Sequence, residues 1–492
     1  MYFKRMKTFW TGAALSGVLF LILFVLRLGF LEKNPADQFT IAISSESSLP
    51  EKDSWKNILQ NGEKIGVSHS SLAKTPSGYL LQETLYLRIN TMGMVQDISL
   101  NTTGKLHSDF SLAAFDFNIS SGRFQFSAKG TVSDRVLTIV SQSSGSPRKD
   151  SIRLDQKLYL TTGIIDAVMA SDLNESQVLT LFVFDPATMS QQPVDIRVIG
   201  REDIRIMGTS LSARKVSLSF KGATQLAWVG ESGEILKEQG LLGISLEKTT
   251  RTDALFGLPV GSSQDLTQVA SVSVNIPIEN PESLDRLRIK IDGIQSSEVS
   301  LDGGRQTFRQ NILTVVRESL PGLSAGPAEK GVNETLAEFL KPSLFIQSND
   351  PKIKKLADSI VSADDPALIK ARKLVDWINR NIEKRPVLSL PDALSTLENQ
   401  VGDCNEHAML LSALARAAGI PAKIEAGLVY LNGRFYYHAW NLLYLGEWIT
   451  VDALFGQVPA DVTHIRFSSG AQSLPLDIMG IIGNVKLEIL PL

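Results

Sequence analysis

The chain has 492 residues, a formal net charge of −3, five histidines and a single cysteine. That length exceeds one ordinary hydrophobic core, so two to four domains plus a membrane segment are expected. Near-neutral charge without a basic, aromatic-interleaved run gives no support to nucleic-acid binding. One cysteine excludes an internal disulfide and any Cys-rich metal site, and the histidines form no recognisable ligand pattern.

At the N-terminus, Lys4, Arg5 and Lys7 precede the apolar run Thr8–Leu26, which Arg27 closes. As a helix this run spans roughly 28 Å, close to the hydrocarbon thickness of a bilayer. No small-x-small cleavage site stands out after it, so residues 1–31 read as an uncleaved signal anchor. With the positive cluster inside, the bulk of the chain faces outside, which in a bacterium is the periplasm. Residues 32–50, with Pro35 and the Ser-rich run Ile43–Leu49, read as a tether.

Residues 51–260 show little helical periodicity. Alternating segments recur at Tyr79–Ile89, Val95–Thr102, Phe110–Ile119, Arg123–Val132, Val136–Ser141, Ser151–Leu154, Lys215–Phe220, Thr224–Val229 and Ile244–Thr250, separated by turn signals such as Asn61-Gly62. Many short strands imply an antiparallel wrapped sheet or open barrel. The segment Gly163–Leu181 carries a short helical pattern that can plug or cross this sheet. Sequons at Asn101, Asn118 and Asn174 read as turn or edge asparagines. No catalytic constellation lies in this half.

Residues 261–325 read as a second, small β module followed by linker. Val269–Ile276, Leu287–Ile291 and Ile312–Val316 alternate, and the Gly-, Ala- and Pro-rich stretch Pro321–Thr335 is the linker candidate. From residue 336 to 492 the chain changes character. Asn349-Asp350-Pro351 starts a helix, and Asp365-Pro366 starts the next with Pro at N1. A short helix Pro391–Asn399 leads to Gly402. A cysteine-led helix follows, then strand Lys423–Tyr430, an Asn432-Gly433 hairpin turn, strand Phe435–Leu445 and strand Trp448–Asp452. Helices followed by an antiparallel meander make an α+β unit.

Cys404 falls in the first turn of its helix, where the macrodipole and unsatisfied N–H groups favour thiolate over thiol. The bland reading of a lone cysteine is a buried small hydrophobe, but the polar neighbours Asp403 and Asn405 suit a helix start better. His438 and Asp452, each on a predicted strand, supply a base and an orienting carboxylate. His407, three residues beyond Cys404, is a rival base. Trp440 and Trp448 read as core or cleft wall, and His464 as structural.

The two strands impose a geometric condition. A two-residue loop at Gly446-Glu447 places Asp452 opposite Asn441, on the face away from His438. A three-residue loop, Leu445-Gly446-Glu447, or a bulge beside Gly446 places it opposite Trp440 and diagonal to His438, roughly 7–8 Å away at Cα and within side-chain reach.

Together, Gly402-Asp403-Cys404 with Glu406-His407-Ala408, the run Leu414–Ala422, His438-Ala439-Trp440 and Trp448-Ile449-Thr450-Val451-Asp452 resemble the transglutaminase-like superfamily of papain-type thiol enzymes. The resemblance covers about Leu336–Gly470. It implies Cys404 as nucleophile, His438 as general base and Asp452 as the group fixing the imidazole tautomer. It also implies acyl transfer from a peptide or protein amide through a thioester, released to an amine or to water. The carboxylates show no looped acidic array of the kind that holds calcium, and no cofactor is expected. Ala453-Leu454 stands where Pro-Thr is common in the family. Two other readings are a non-catalytic binding or assembly module in a membrane complex, and an enzyme held closed by its own β region.

Overall fold

The computed structural model describes residues 49–491 except 123, 144–146, 172, 176, 221–222, 258–263, 295–298, 323–333, 388–390 and 471–479. The expected anchor and nearly all of the tether, like most of the Pro321–Thr335 linker, lie outside the described residues. Among the described residues no helix is long and apolar enough to cross a membrane. The described chain divides into two compact units, residues 49–266 and 267–491.

In the first unit, one fifteen-stranded sheet runs from β1 (Lys52–Gln60) to β15 (Ile244–Thr249). Its edges are β8 (Arg148–Arg153) and β9 (Leu158–Leu160), and β1 pairs antiparallel with β15 at the middle. Apart from the β1–β15 pair and the parallel pairing of β9 with β10 (Val178–Asp185), neighbouring strands are sequential and pair antiparallel as hairpins, several with turn residues that take positive φ. Asn61 and Gly62 do so at +49° and +88°, and Met92 and Gly93 at +56° and +73°. This backbone twist matches that of the flanking strands, which Asn-Gly announces in sequence and Met-Gly does not. Strict alternation in β3 (Gly78–Thr91) and β4 (Met94–Leu106) puts Leu81, Leu85, Leu87 and Ile89 of one strand, and Ile98, Leu100 and Leu106 of the other, in the interior. Burying each such side chain contributes about 1.5–3 kcal/mol before entropy is counted.

The expected helix over Gly163–Leu181 is shorter. It is confined to α1 (Ile164–Met169), and Val178–Asp185 is strand β10. The β-branched and aromatic residues of Val178–Asp185 fit a pleated surface better than a helix, so the apparent helical spacing of Val178 and Leu181 is fortuitous. Helix α1 lies against the sheet: Lys52 of β1 donates to Asp166 at 2.6 Å, and a Cβ on Gly163 would stand 3.4 Å from Leu106 Cδ1. Phe110, read as part of a strand, sits at φ +62° just before β5 (Leu112–Ser121).

The second unit contains four helices used below: α2 (Pro351–Ile360), α3 (Ala367–Asn381), α4 (Ala393–Asn399) and α5 (Cys404–Ala417). Asp350 caps α2 through the Lys352 amide at 2.8 Å. Helix α3 begins at Ala367, so Pro366 is its N-cap and not its N1 residue. Helix α5 is buried on every side from Cys404 to Arg416 and packs against α2, α3, α4, β22 (Ala422–Leu431) and β23 (Arg434–Tyr444). A helix apolar around most of its circumference belongs in the middle of a domain, and α5 occupies that place.

The sheet behind α5 has the order β16–β23–β22–β25, with β24 (Trp448–Val451) also on β23; β16 is Val272–Ser273 and β25 is Ile465–Gly470. A second sheet orders β18 (Gln306–Arg309), β19 (Ile312–Val316), β17 (Arg286–Asp292) and β26 (Lys486–Ile489). The structure therefore divides the chain differently from the expected separate module at 261–325. The strands from residue 272 onward belong to the same unit as Cys404, because β16 completes the β23 edge and β17 pairs with the C-terminal β26. Alternation reveals a strand but not its partner, and here the partners lie more than 150 residues away.

Candidate active site

Asp403 is the N-cap of α5, accepting from the Asn405 amide at 2.8 Å, while Glu406 Oε2 accepts from the Asp403 amide at 3.0 Å. This reciprocal capping box fixes the first turn and leaves Cys404 at N1. Immediately upstream, β20 (Glu383–Lys384) pairs parallel with β21 (Val401–Gly402), pinning the approach to the cysteine. Gly402 is required there, since a Cβ would fall 2.3 Å from Glu406 Cβ and displace the cap. Cys404 is 0% exposed.

Strand β23 carries His438. Asn441 on the same strand donates from Nδ2 to Ala408 O at 2.9 Å and to Ser412 Oγ at 2.8 Å, tying α5 to β23. The β23–β24 register pairs Tyr444 with Trp448 and Asn441 with Val451, so the connection is the three-residue Leu445-Gly446-Glu447 loop. Gly446 adopts φ +105°, and the Leu445 amide donates to Glu447 O at 2.8 Å. This is the arrangement that puts Asp452 on the His438 side. His438 Nε2–H donates to Asp452 Oδ2 at 2.6 Å, a charge-assisted bond between fully buried groups. With Nε2 so engaged, the other ring nitrogen, Nδ1, is buried and makes no hydrogen bond.

Asp452 is held from three sides. Its Oδ1 accepts from the Phe455 amide at 2.9 Å, and its Oδ2 accepts a second bond from His464 Nε2 at 3.0 Å. Burial alone raises a carboxyl pKa, but the charges and hydrogen bonds of His438 and His464 hold Asp452 well below the usual carboxylate range. His464 also faces Asp461, with Nδ1 3.4 Å from Oδ1. Burial opposes its protonation, yet the two carboxylates raise its pKa to about 9, so it is an imidazolium at neutral pH. The site is thus a buried row in which the carboxylates of Asp461 and Asp452 flank the His464 imidazolium, with His438 on the far side of Asp452. Trp440 and Phe455 flank it, with ring centroids 5.2 Å and 6.0 Å from that of His464.

His407 differs from His438. Its Nδ1–H donates to the Asp403 carbonyl at 2.6 Å, no carboxylate orients it, and burial pushes its pKa down to about 4. A ring that resists protonation so strongly is a poor proton acceptor, which weighs against His407 as the base.

Residues 300–318 brace the loop that carries Asp452 and His464. The buried Arg305 donates from Nη1 to Ala460 O at 2.6 Å and from Nη2 to His464 O at 3.2 Å. Glu318 accepts from the Thr450 amide and hydroxyl and lies 3.5 Å from Arg305. Burial lowers the Arg305 pKa and raises that of Glu318, with each partner's charge opposing the shift.

Of the three residues expected from sequence, the structure joins His438 and Asp452 by a hydrogen bond and sets Cys404, buried, at the start of α5; His464, expected to be structural, bonds to the same Asp452, and Asp461, Arg305 and Glu318 were not foreseen. The available signal was Asp461-Val462-Thr463-His464, whose aspartate turns the chain by accepting from the Thr463 amide at 2.8 Å. His438, Asp452 and His464 also offer three ligand atoms within 4.8 Å of one another, a grouping that the spacing of the histidines in sequence did not suggest.

Residues 354–453 match the family model of the transglutaminase-like superfamily, a match that points to thiol-based chemistry. A comparison with curated proteins found no match. Among solved structures, the chain is similar to a candidate cysteine protease from Cytophaga hutchinsonii at 18% identity, covering 41% of this chain and 83% of that one, with a TM-score of 0.28. A β-barrel-like domain of unknown function from Brucella abortus aligns at 8% identity over 41% of this chain and 97% of its own, TM-score 0.31. The periplasmic domain of TgpA from Pseudomonas aeruginosa aligns at 22% identity over 25% of this chain and 47% of its own, TM-score 0.21.

Proposed function

We propose that the chain is a membrane-anchored, externally facing thiol acyl-transfer enzyme acting on peptide or protein amides, with Cys404 as nucleophile, His438 as general base and Asp452 as its orienting group. The observation that carries this reading is the His438–Asp452 hydrogen bond, which leaves Nδ1 as the basic ring nitrogen. The anchoring half of the proposal rests on the Thr8–Leu26 run and its basic flank.

In the proposed reaction the Cys404 proton passes to His438 Nδ1, and the thiolate adds to the amide carbon. The tetrahedral oxyanion collapses, the C–N bond breaks, and the imidazolium returns the proton to the departing amine. A thioester remains. Water or a second amine, deprotonated by His438, then adds to the thioester and expels the thiolate, giving hydrolysis or cross-linking respectively. Asp452 stays ionised throughout, stabilising the imidazolium and holding the tautomer.

The full burial of Cys404 supports a second reading, a binding module whose triad is idle. Intact-mass analysis after exposure to an activated acyl ester separates the two. The enzyme reading predicts a mass increase of one acyl group, absent in Cys404→Ala and slow to form in His438→Ala. No adduct on the wild-type chain, or equal adducts on wild type and His438→Ala, contradicts it.

A further inference from the structure

The first unit encloses a cavity of about 380 Å³, within the range of sites for small ligands. It opens between α1 and the inner faces of strands from both halves of the sheet. Leu81, Leu85, Leu218 and Leu246 form an apolar floor. The remaining wall is polar in a way that a packed sheet interior does not require. Alternation along β1 turns Lys52, Ser54 and Lys56 toward the cavity, where hydrophobic side chains would ordinarily fill the space.

Three neutral polar groups on this wall are buried without a hydrogen-bond partner: the hydroxyls of Ser54 and Thr162 and the side-chain carbonyl of Gln225. Gln225 is 6% exposed, so solvent does not satisfy it. Buried polar atoms in native proteins find partners, and three orphans lining one void call for a shared one. The lysines on the wall are already committed: Lys52 to Asp166 at 2.6 Å, Lys56 to Glu238 at 3.1 Å and Lys248 to Glu234 at 3.7 Å. The remaining carboxylates of the wall are engaged as well, Asp53 with His69 at 3.2 Å, Glu51 with the Lys74 amide at 3.4 Å and Glu83 with a partner of its own, so what is left unsatisfied is uncharged, with a hydrocarbon floor beside it.

We propose that this cavity binds a small amphipathic molecule with an uncharged hydroxyl- or amide-bearing head, set against Ser54, Thr162 and Gln225, and an aliphatic tail on the leucine floor. The site is independent of Cys404 and of the reaction assigned to it.

Isothermal titration of the full chain with 1-lauroylglycerol tests the assignment, with laurate and dodecyltrimethylammonium as charged counterparts of the same tail. The expected result is saturable one-to-one binding of 1-lauroylglycerol with a negative heat-capacity change, tighter than either charged analogue. Gln225→Leu, which keeps the volume but removes the carbonyl, weakens it by about fivefold to tenfold, the share of one hydrogen bond. Leu246→Trp, which fills the floor, abolishes it. Circular dichroism establishes that each variant is folded, and if Leu246→Trp is not, Gln225→Leu decides. No saturable binding, equal or tighter binding of a charged analogue, or wild-type affinity in folded Gln225→Leu overturns the proposal.

Discussion

His438 and Asp452 are fourteen residues apart in the chain and meet through a 2.6 Å hydrogen bond inside the protein. The bond commits one ring nitrogen to the carboxylate and so decides which nitrogen remains basic. Asp452→Asn keeps the shape but allows the wrong tautomer. A comparable change in a serine triad costs about 10⁴-fold in kcat. Acylation of Cys404 by an activated ester is accordingly predicted to slow by about 10³–10⁴-fold while the variant stays folded.

The pairing depends on the length of one loop. Deleting Gly446 removes one residue of Leu445-Gly446-Glu447; where the turn keeps three residues by drawing in Tyr444, Leu443 pairs with Trp448 and Asp452 turns to the opposite face of the sheet. The expected outcome is a folded protein whose acylation rate falls to that of His438→Ala. Retained activity in a folded deletion variant with that shifted register would mean that the carboxylate is dispensable.

His464 links stability to pH. Its pKa is about 9 in the folded protein against 6.5 for the free side chain. A group raised on folding contributes stability that is fully present below the unfolded pKa and is lost as pH climbs through the folded one. The stabilisation, on the order of 3 kcal/mol, is therefore present below pH 6.5 and fades as pH rises toward 9 and beyond. Asp452 and Asp461, whose pKa values are depressed, act at the other end, losing their contribution as pH falls below the ordinary carboxylate range. Urea unfolding of wild type and His464→Gln at pH 6 and pH 10 checks this. The two should differ most at pH 6 and converge at pH 10.

Arg305 and Glu318 are buried partners, so removing one strands the other. Arg305→Met is predicted to destabilise the second unit by about 3 kcal/mol, measured by chemical denaturation. Because Arg305 also holds the backbone carbonyls of Ala460 and His464, the acylation rate should fall even where the variant is folded.

His407 is the control. With its pKa pushed down to about 4, it is neutral across the physiological range. His407→Asn should leave the neutral limb of the pH–rate profile in place, whereas His438→Ala should remove it. The converse pattern would transfer the role of base to His407.

The local features of the site were legible in sequence because each follows from short-range chemistry. Asp403 and Glu406 announce a capped helix start, Asn432-Gly433 announces a hairpin, and the loop at Gly446 could be posed as a choice between two registers. The β character of residues 51–260 was legible for the same reason, although β1, β2 (Glu63–Thr75) and the long β11 (Ser190–Ile206), rich in polar residues, were not named. What stayed hidden was long-range. Nothing near Arg305 says that it will reach the carbonyl of His464, and nothing near Leu287 identifies a partner at Ile489 two hundred residues later. His464 was undervalued because an isolated histidine carries no mark of the two carboxylates that the fold brings to it.

The proposed reaction turns on transfer of the proton from the chain's single thiol to His438. The rate of Cys404 alkylation by iodoacetamide as a function of pH measures that directly, since no other cysteine contributes. The wild-type profile is expected to have its inflection below about pH 7.5, moving to about 8.5, the value of an ordinary thiol, in His438→Ala. Profiles that coincide, both with the inflection of an ordinary thiol, would contradict it.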